Sequence, residues 1–237
     1  MNWITAIADD LDNLLRDFPY ESGRVNARLV KAEDGREVIQ VRVELGVLQM
    51  ECVGRPDGRP CVAVGGTSRR EKALSIQTAA MLRLEMVQFQ QRAIAFMALG
   101  DHRRALADAE TVLEGAAVLE RCAPVSEGEW ALSARFSAVV LRTRAAAAML
   151  ASSGRAREAG SVIDAGLEML RDAAERSGIG EHFDHLSDAT ALRMLRDTLV
   201  PQLPPAQRSE LESRLRAAVL SENYELAAIL RDELRLQ

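Results

Sequence analysis

Aromatic residues are scarce, at 4% of the 237 residues, and lysine occurs only at Lys31 and Lys72. So few rings leave Ala, Leu, Val and Ile to build the core, which suits closely packed helices better than a β-sandwich. Cysteine is limited to Cys52, Cys61 and Cys122. No two of them are spaced CxxC, and an odd number argues against a disulfide framework and for a reducing compartment. Long hydrophobic runs are also missing: no stretch approaches the roughly 18 apolar residues of a membrane span. The opening "MNWITAIADDLDNLLRDF" carries acids and no apolar run of signal length, so it does not read as a secretory leader. A cytoplasmic location and no membrane partner are expected. The net charge is −5, which excludes a broadly basic nucleic-acid surface and leaves only a local patch as a route to DNA.

What is present is ordinary globular material, 48% hydrophobic and 27% charged, enough for one large domain or two small ones. Residues 3–18 place Trp3, Ile7, Leu11, Leu14, Leu15 and Phe18 at helical spacing. Residues 24–65 alternate instead. "RVNARLVKA" and "VIQVRVELGVLQMECV" flank Asp34-Gly35, a strong hairpin signal because glycine accepts the positive φ of a tight turn. Gly46 marks a bulge or bend in the second run, "GRPDGRP" (54–60) a further turn, and "CVAVGG" one more candidate strand. A small antiparallel sheet of three or four strands follows, with helix 3–18 available to cover its apolar face.

From residue 67 the pattern is helical. Ser68 and Glu71 match a capping box, in which each side chain satisfies a free backbone N–H at the helix start. Gly65-Gly66 lacks the Gly-Lys-Ser/Thr that a phosphate loop requires. The pattern breaks at Gly100 and again at Gly154, and "ALGDHRRALADAETVL" aligns with "ASSGRAREAGSVIDAG" without a gap. Phe89, Ala93, Phe96, Gly100, His102 and Ala105 in one unit, and Thr143, Ala147, Leu150, Gly154, Ala156 and Ala159 in the other, resemble tetratricopeptide repeats. The spacing of the two glycines exceeds that family's period of about 34 residues. A plain helical bundle explains the same small residues where helices cross. "VPQLPPAQ" reads as a linker, since prolines remove donors and favour extended backbone.

The organisation expected is α+β, mostly α: a small α+β unit at 1–66, a helical domain at 67–200, a linker at 201–208 and a helical hairpin at 209–237. In the hairpin's first helix (about 205–220), Leu211, Leu215, Ala218 and Val219 share a face. The second, capped by Asn223, places Ala227, Leu230 and Leu234 on one face, with Glu225 complementing the helix dipole. Two helices this short need a further surface to pack on.

Here the sequence resembles the UVR motif of the excision-repair proteins UvrB and UvrC, a module found also in some Clp chaperone and kinase-activator proteins. The family runs approximately Met-x-x-Ala-Ala-x-x-Leu-x-Phe-Glu-x-Ala-Ala-x-Leu-Arg-Asp-x-Ile. This chain has Leu215, Ala218, Val219, Tyr224, Glu225, Ala227, Ala228, Leu230, Arg231, Asp232 and Leu234 in those places, with Glu222 where Leu is common. The resemblance implies antiparallel docking onto a similar hairpin, of another UVR-bearing protein or a second copy. The candidate partner-binding residues are Leu215, Ala218, Val219, Tyr224, Ala227, Leu230, Arg231, Asp232 and Leu234, with Arg231 and Asp232 setting orientation at a polar rim. Neither helicase nor nuclease activity is implied, and the CxxC zinc pairs of the kinase-activator relatives are missing.

No other motif carries a reaction. "EHFDH" (181–185) offers two imidazoles without a third donor, more simply a polar helix start. Cys52 lacks an identifiable base. Arg69, Arg70, Arg83, Arg92, Arg103 and Arg104 are scattered helical arginines, which usually form a solvated face. No catalytic, cofactor-binding or metal-ligating residue is assigned. The reading is a bacterial-type, non-enzymatic interaction protein. Its rivals are an excision-repair accessory touching DNA or repair proteins, and an enzyme with its site between sheet and helices.

Overall fold

A computed structural model describes residues 12–62, 73–200 and 205–235; at 205–208, 232, 233 and 235 the description covers the backbone alone. The expected helix over residues 3–11, the Ser68–Glu71 capping box, the strand at 63–66 and the linker's residues 201–204 fall outside these. The chain divides into two compact units, Met1–Ala145 and Ala146–Gln237.

The first unit opens with α1 (Asp12–Asp17) and an antiparallel sheet, β1 (Asn26–Lys31), β2 (Glu37–Val43) and β3 (Gly46–Glu51), in that spatial order. The β1–β2 turn falls at Asp34-Gly35, where Gly35 takes φ +85°. The β2–β3 turn was not legible. The run 38–53 was expected to be one strand bent at Gly46; instead it reverses at Glu44-Leu45, pairing Val43 with Gly46. Neither turn residue adopts a positive φ, so the reversal needs no glycine or asparagine to announce it.

Alternation then decides the faces. Ile39, Met50 and Cys52 pack with Ala95, Phe96, Ala105 and Ala145. The cover over this apolar face comes from α2 (Ile76–Ala98), which supplies Ala95 and Phe96. The opposite face is mixed: Val38, 2% exposed, lies on it beside a polar ladder in which Arg28 Nε donates to Gln40 Oε1 at 3.0 Å and Gln40 Nε2 to Gln49 Oε1 at 3.0 Å. The Arg28 guanidinium lies 4.3 Å from the centre of the Phe18 ring, so the end of the N-terminal helical segment reaches this second face.

Where a continuous helix from Ser68 was expected, residues 73–75 are non-helical and α2 starts at Ile76, with Ser75 Oγ accepting from Thr78 N. α2 and α3 (His102–Cys122) form an antiparallel pair whose core joins Leu82, Met86 and Phe89 to Val112, Ala116 and Leu119. The turn between them is a Schellman motif: Gly100 N donates to Met97 O, Asp101 N to Phe96 O, and Gly100 adopts φ +75°. α4 (Val125–Ser152) approaches this core through Ala131, Ala138 and Ala145, seven residues apart, where a larger side chain would hold the helices off. Arg135–Glu120 and Arg142–Glu110 ion pairs lie along the α3–α4 seam.

The loop after β3 is pinned by buried polar groups. Arg55, 7% exposed, reaches Asp57 and Glu85. Arg92 on α2, 4% exposed, grips Asp108 on α3 and the carbonyls of Glu51 and Gly54.

α4 runs on into the second unit and ends in the same turn, with Gly154 N to Ala151 O, Arg155 N to Leu150 O and φ +74° at Gly154. Next come α5 (Ala156–Arg176), a 3-10 turn (Gly180–His185) and α6 (Ser187–Leu199). α5 and α6 pack closely: a Cβ at Gly160 would lie 2.8 Å from Val200 Cγ2, and Arg196 pairs with Asp164 at 2.6 Å. Phe183 is buried beneath the guanidinium of Arg171 at 4.5 Å. The unit ends in α7 (Pro205–Leu220) and α8 (Tyr224–Arg235). The architecture is mostly helical, with a small N-terminal sheet and a C-terminal helical hairpin.

Candidate functional site

α7 starts at Pro205, which suits a first helical turn because its missing N–H has no intrahelical partner there. Leu211, Leu215 and Ala218 then fall on one face of α7, and Ala227, Leu230 and Leu234 on one face of α8. Leu211, Ala218, Ala227 and Leu230 are buried together, and Leu215 and Leu234 pack against them. Small alanines from both helices bring the backbones together, and the leucines supply the buried area, about 1.5–3 kcal/mol for each one fully covered.

The turn repeats the Schellman pattern of the turns at Gly100 and Gly154. Glu222 N donates to Val219 O at 3.1 Å and Asn223 N to Ala218 O at 2.9 Å. Here the left-handed position is held by Glu222 at φ +56°, the only non-glycine residue with positive φ among the described residues. Asn223 caps α8 as expected, its Oδ1 accepting from Leu226 N at 3.1 Å.

A second apolar set is left outside. Val219, Leu220, Tyr224, Leu226 and Ile229 are all exposed, Leu220 at 85% and Tyr224 at 69%. They lie around the turn, at the end of α7 and over the first two turns of α8. Arg214, Arg216 and Arg231 are exposed on the same hairpin, as are Glu212 and Glu225.

Residues 206–236 match the UVR family, described as the UvrB/uvrC motif. The chain therefore carries a UVR motif. No curated protein and no solved structure matches the chain. The matched segment is the α7–α8 hairpin, so the geometry above is that of the UVR motif in this protein.

The candidate partner-binding residues separate into two groups within the UVR hairpin. Leu215, Ala218, Ala227, Leu230 and Leu234 form its internal face. Val219, Tyr224 and Arg231 are exposed, and the side chain of Asp232 lies outside the described set. Leu220, Leu226 and Ile229 were not selected from the sequence. Their signal is a second stripe, Leu226 and Ile229 at i, i+3, running beside the Ala227–Leu230 stripe in "YELAAIL".

The remaining sequence candidates are dispersed. His182 and His185 are both exposed on the 3-10 turn. Among the described residues no group of three His, Cys, Asp or Glu is placed to hold a metal. Cys52 is buried one residue beyond β3, and burial pushes its thiol up from the usual range. Arg69 and Arg70 lie outside the described residues. Arg92 does not belong to a solvated face: it is buried on Asp108, because a guanidinium can satisfy a carboxylate and two loop carbonyls at once. Arg104 is engaged by Asp101 and Glu37, and Arg83 by Glu127. None of the described helices is long and apolar enough to cross a membrane.

Proposed function

We propose that this chain is a non-enzymatic interaction protein of the cytoplasm whose UVR hairpin docks a second UVR-type hairpin, carried by another protein or by a second copy. The observation that supports this most directly is that Val219, Leu220, Tyr224, Leu226 and Ile229 are all exposed within the matched segment. These side chains gain little by facing water, and covering them releases about 25 cal/mol per Å² of apolar area. In this reading the residues selected from the sequence have two duties. Leu215, Ala218, Ala227, Leu230 and Leu234 hold the two helices together, while Val219, Tyr224, Arg231 and Asp232 face the partner beside Leu220, Leu226 and Ile229. The tetratricopeptide-like helices within 67–200 offer a further surface for a peptide segment.

The test is the mass of the full chain in solution across a concentration series, with a parallel capture of UVR-bearing proteins from the same cells. Tail-dependent dimerisation, or a UVR-bearing partner recovered by the full chain and lost on deleting residues 205–237, supports the proposal. A chain that stays monomeric and recovers the same UVR-bearing proteins with or without its tail, or none, refutes it.

A further inference from the structure

One side of α2 faces solvent without a free charge. Toward α3 the helix buries Leu82, Met86 and Phe89. On the other side Ile76, Ala80, Leu84 and Val87 follow at i, i+4, i+8 and i+11, with Met81 beside them. Ile76 is 73% exposed and Leu84 52%, and Ala80 and Met81 are exposed too.

Between Ile76 and Gln91 the only charged residues are Arg83 and Glu85. Glu85 is buried and paired with Arg55. Arg83 is drawn to α4, where it pairs with Glu127 and lies over the Trp130 ring. The polar residues exposed beside the apolar ones are the amides Gln77 and Gln91. α3 shows the ordinary pattern, since its exposed positions are Arg103, Ala107, Glu110, Glu114 and Arg121. A helix that is apolar on both sides is expected to be covered on both.

We infer that a second copy of this chain covers this side, the two α2 helices packing across a two-fold axis. A two-fold contact sets a patch against itself, so a charge near the axis meets its own like. An uncharged patch avoids that repulsion, and depletion of charge marks the core of an interface. A partner recognised through its charges would find none to answer it here. Ala80, the small residue between Ile76 and Leu84, lets the two helix axes approach to the roughly 8–10 Å of packed helices. The stretch from Ile76 to Val87 is about 18 Å long and about 10 Å wide. It covers far less than the roughly 800 Å² per partner of a standard interface, so the dimer is weak and depends on concentration.

The test is sedimentation equilibrium of the full chain over a concentration series, with Ile229→Asp present throughout to silence association through the UVR tail. A concentration-dependent dimer is expected. Leu84→Glu and Leu84→Lys, at an exposed helical position, should each weaken it by at least about tenfold with the helical ellipticity unchanged. An equimolar mixture of the two should restore it, because opposite charges then face each other across the axis. A chain with Ile229→Asp alone that stays monomeric overturns the inference, and leaves the tail reading standing where the unsubstituted chain dimerises. Dimerisation as strong with Leu84→Glu as without it also overturns the inference, as does a mixture no more associated than its parts.

Discussion

Arg92 holds both carboxylate oxygens of Asp108, with Nε to Oδ2 at 2.8 Å and Nη2 to Oδ1 at 2.7 Å, while its Nη1 donates to the carbonyls of Glu51 and Gly54. One side chain thus joins α2, α3 and the loop after β3, at a point where it is 4% exposed and its partner 5%. Breaking one half of such a pair leaves a buried charge without compensation. Arg92→Met is expected to destabilise the first unit by about 3–5 kcal/mol, whereas Arg92→Met with Asp108→Leu should recover most of the loss. Urea unfolding of the three proteins checks this.

The UVR hairpin separates folding from docking within a few residues. Leu230→Asp places a charge in its internal cluster and should melt α7 and α8, seen as lost helical ellipticity and early proteolysis of the C-terminus. Ile229→Asp, one residue earlier and 59% exposed, should leave the ellipticity unchanged and abolish the tail-dependent association. Equal association by Ile229→Asp and the wild type would remove the Leu226–Ile229 stripe from the docking surface.

Glu222 occupies the left-handed position that Gly100 and Gly154 hold in the turns before α3 and α5. A side chain there costs about 1 kcal/mol relative to glycine. Glu222→Gly is therefore expected to stabilise the UVR hairpin by about 0.5–1 kcal/mol. Hydrogen exchange at the amides of Asn223 and Ala227, both donors in the turn and first helical bond, reports the change.

Gly115 sits in the middle of α3, where alanine would ordinarily be preferred. A Cβ built there overlaps the thioether of Met86, which is 0% exposed. Crowding outweighs propensity, and Gly115→Ala should destabilise by about 1–3 kcal/mol. Relief of that loss by Met86→Ala in the double variant would show that the contact is the cause.

Asp101 caps α3, with Oδ1 accepting from Arg104 N at 3.0 Å and Oδ2 from the Arg104 guanidinium. Burial works against its charged form, but these donors outweigh it and hold the carboxyl below its ordinary 3.8. The unfolded chain then binds the proton more readily than the folded one. Stability from this cap is complete above pH 3.8 and is lost as pH falls through the lower folded value. The difference between wild type and Asp101→Ala should be about 1 kcal/mol near neutrality and shrink below that pH. Denaturant titrations at stepped pH measure it.

Much of this was legible because it is local. The turns at Gly100 and Gly154, the cap at Asn223, the hairpin at Asp34-Gly35 and the UVR motif depend on a few neighbouring residues, and backbone sterics fix what those residues do. The Glu44-Leu45 reversal was not legible, since its residues keep negative φ and leave no marker. Nor was the start of α2, where Ser68 and Ser75 each offer a capping oxygen.

In the UVR hairpin the sequence determined the module, the cap and the apolar stripes, since spacing along a helix fixes which residues share a face. It did not determine which stripe turns inward, because "YELAAIL" carries two and only packing against α7 buries Ala227 and Leu230 while leaving Leu226 and Ile229 outside. The same holds for Arg92, Asp108 and Glu85. As single residues each is an ordinary helical charge. Their burial and pairing are decided by α2, α3 and the loop meeting in space, where a charge removed from water must find its partner from another part of the chain.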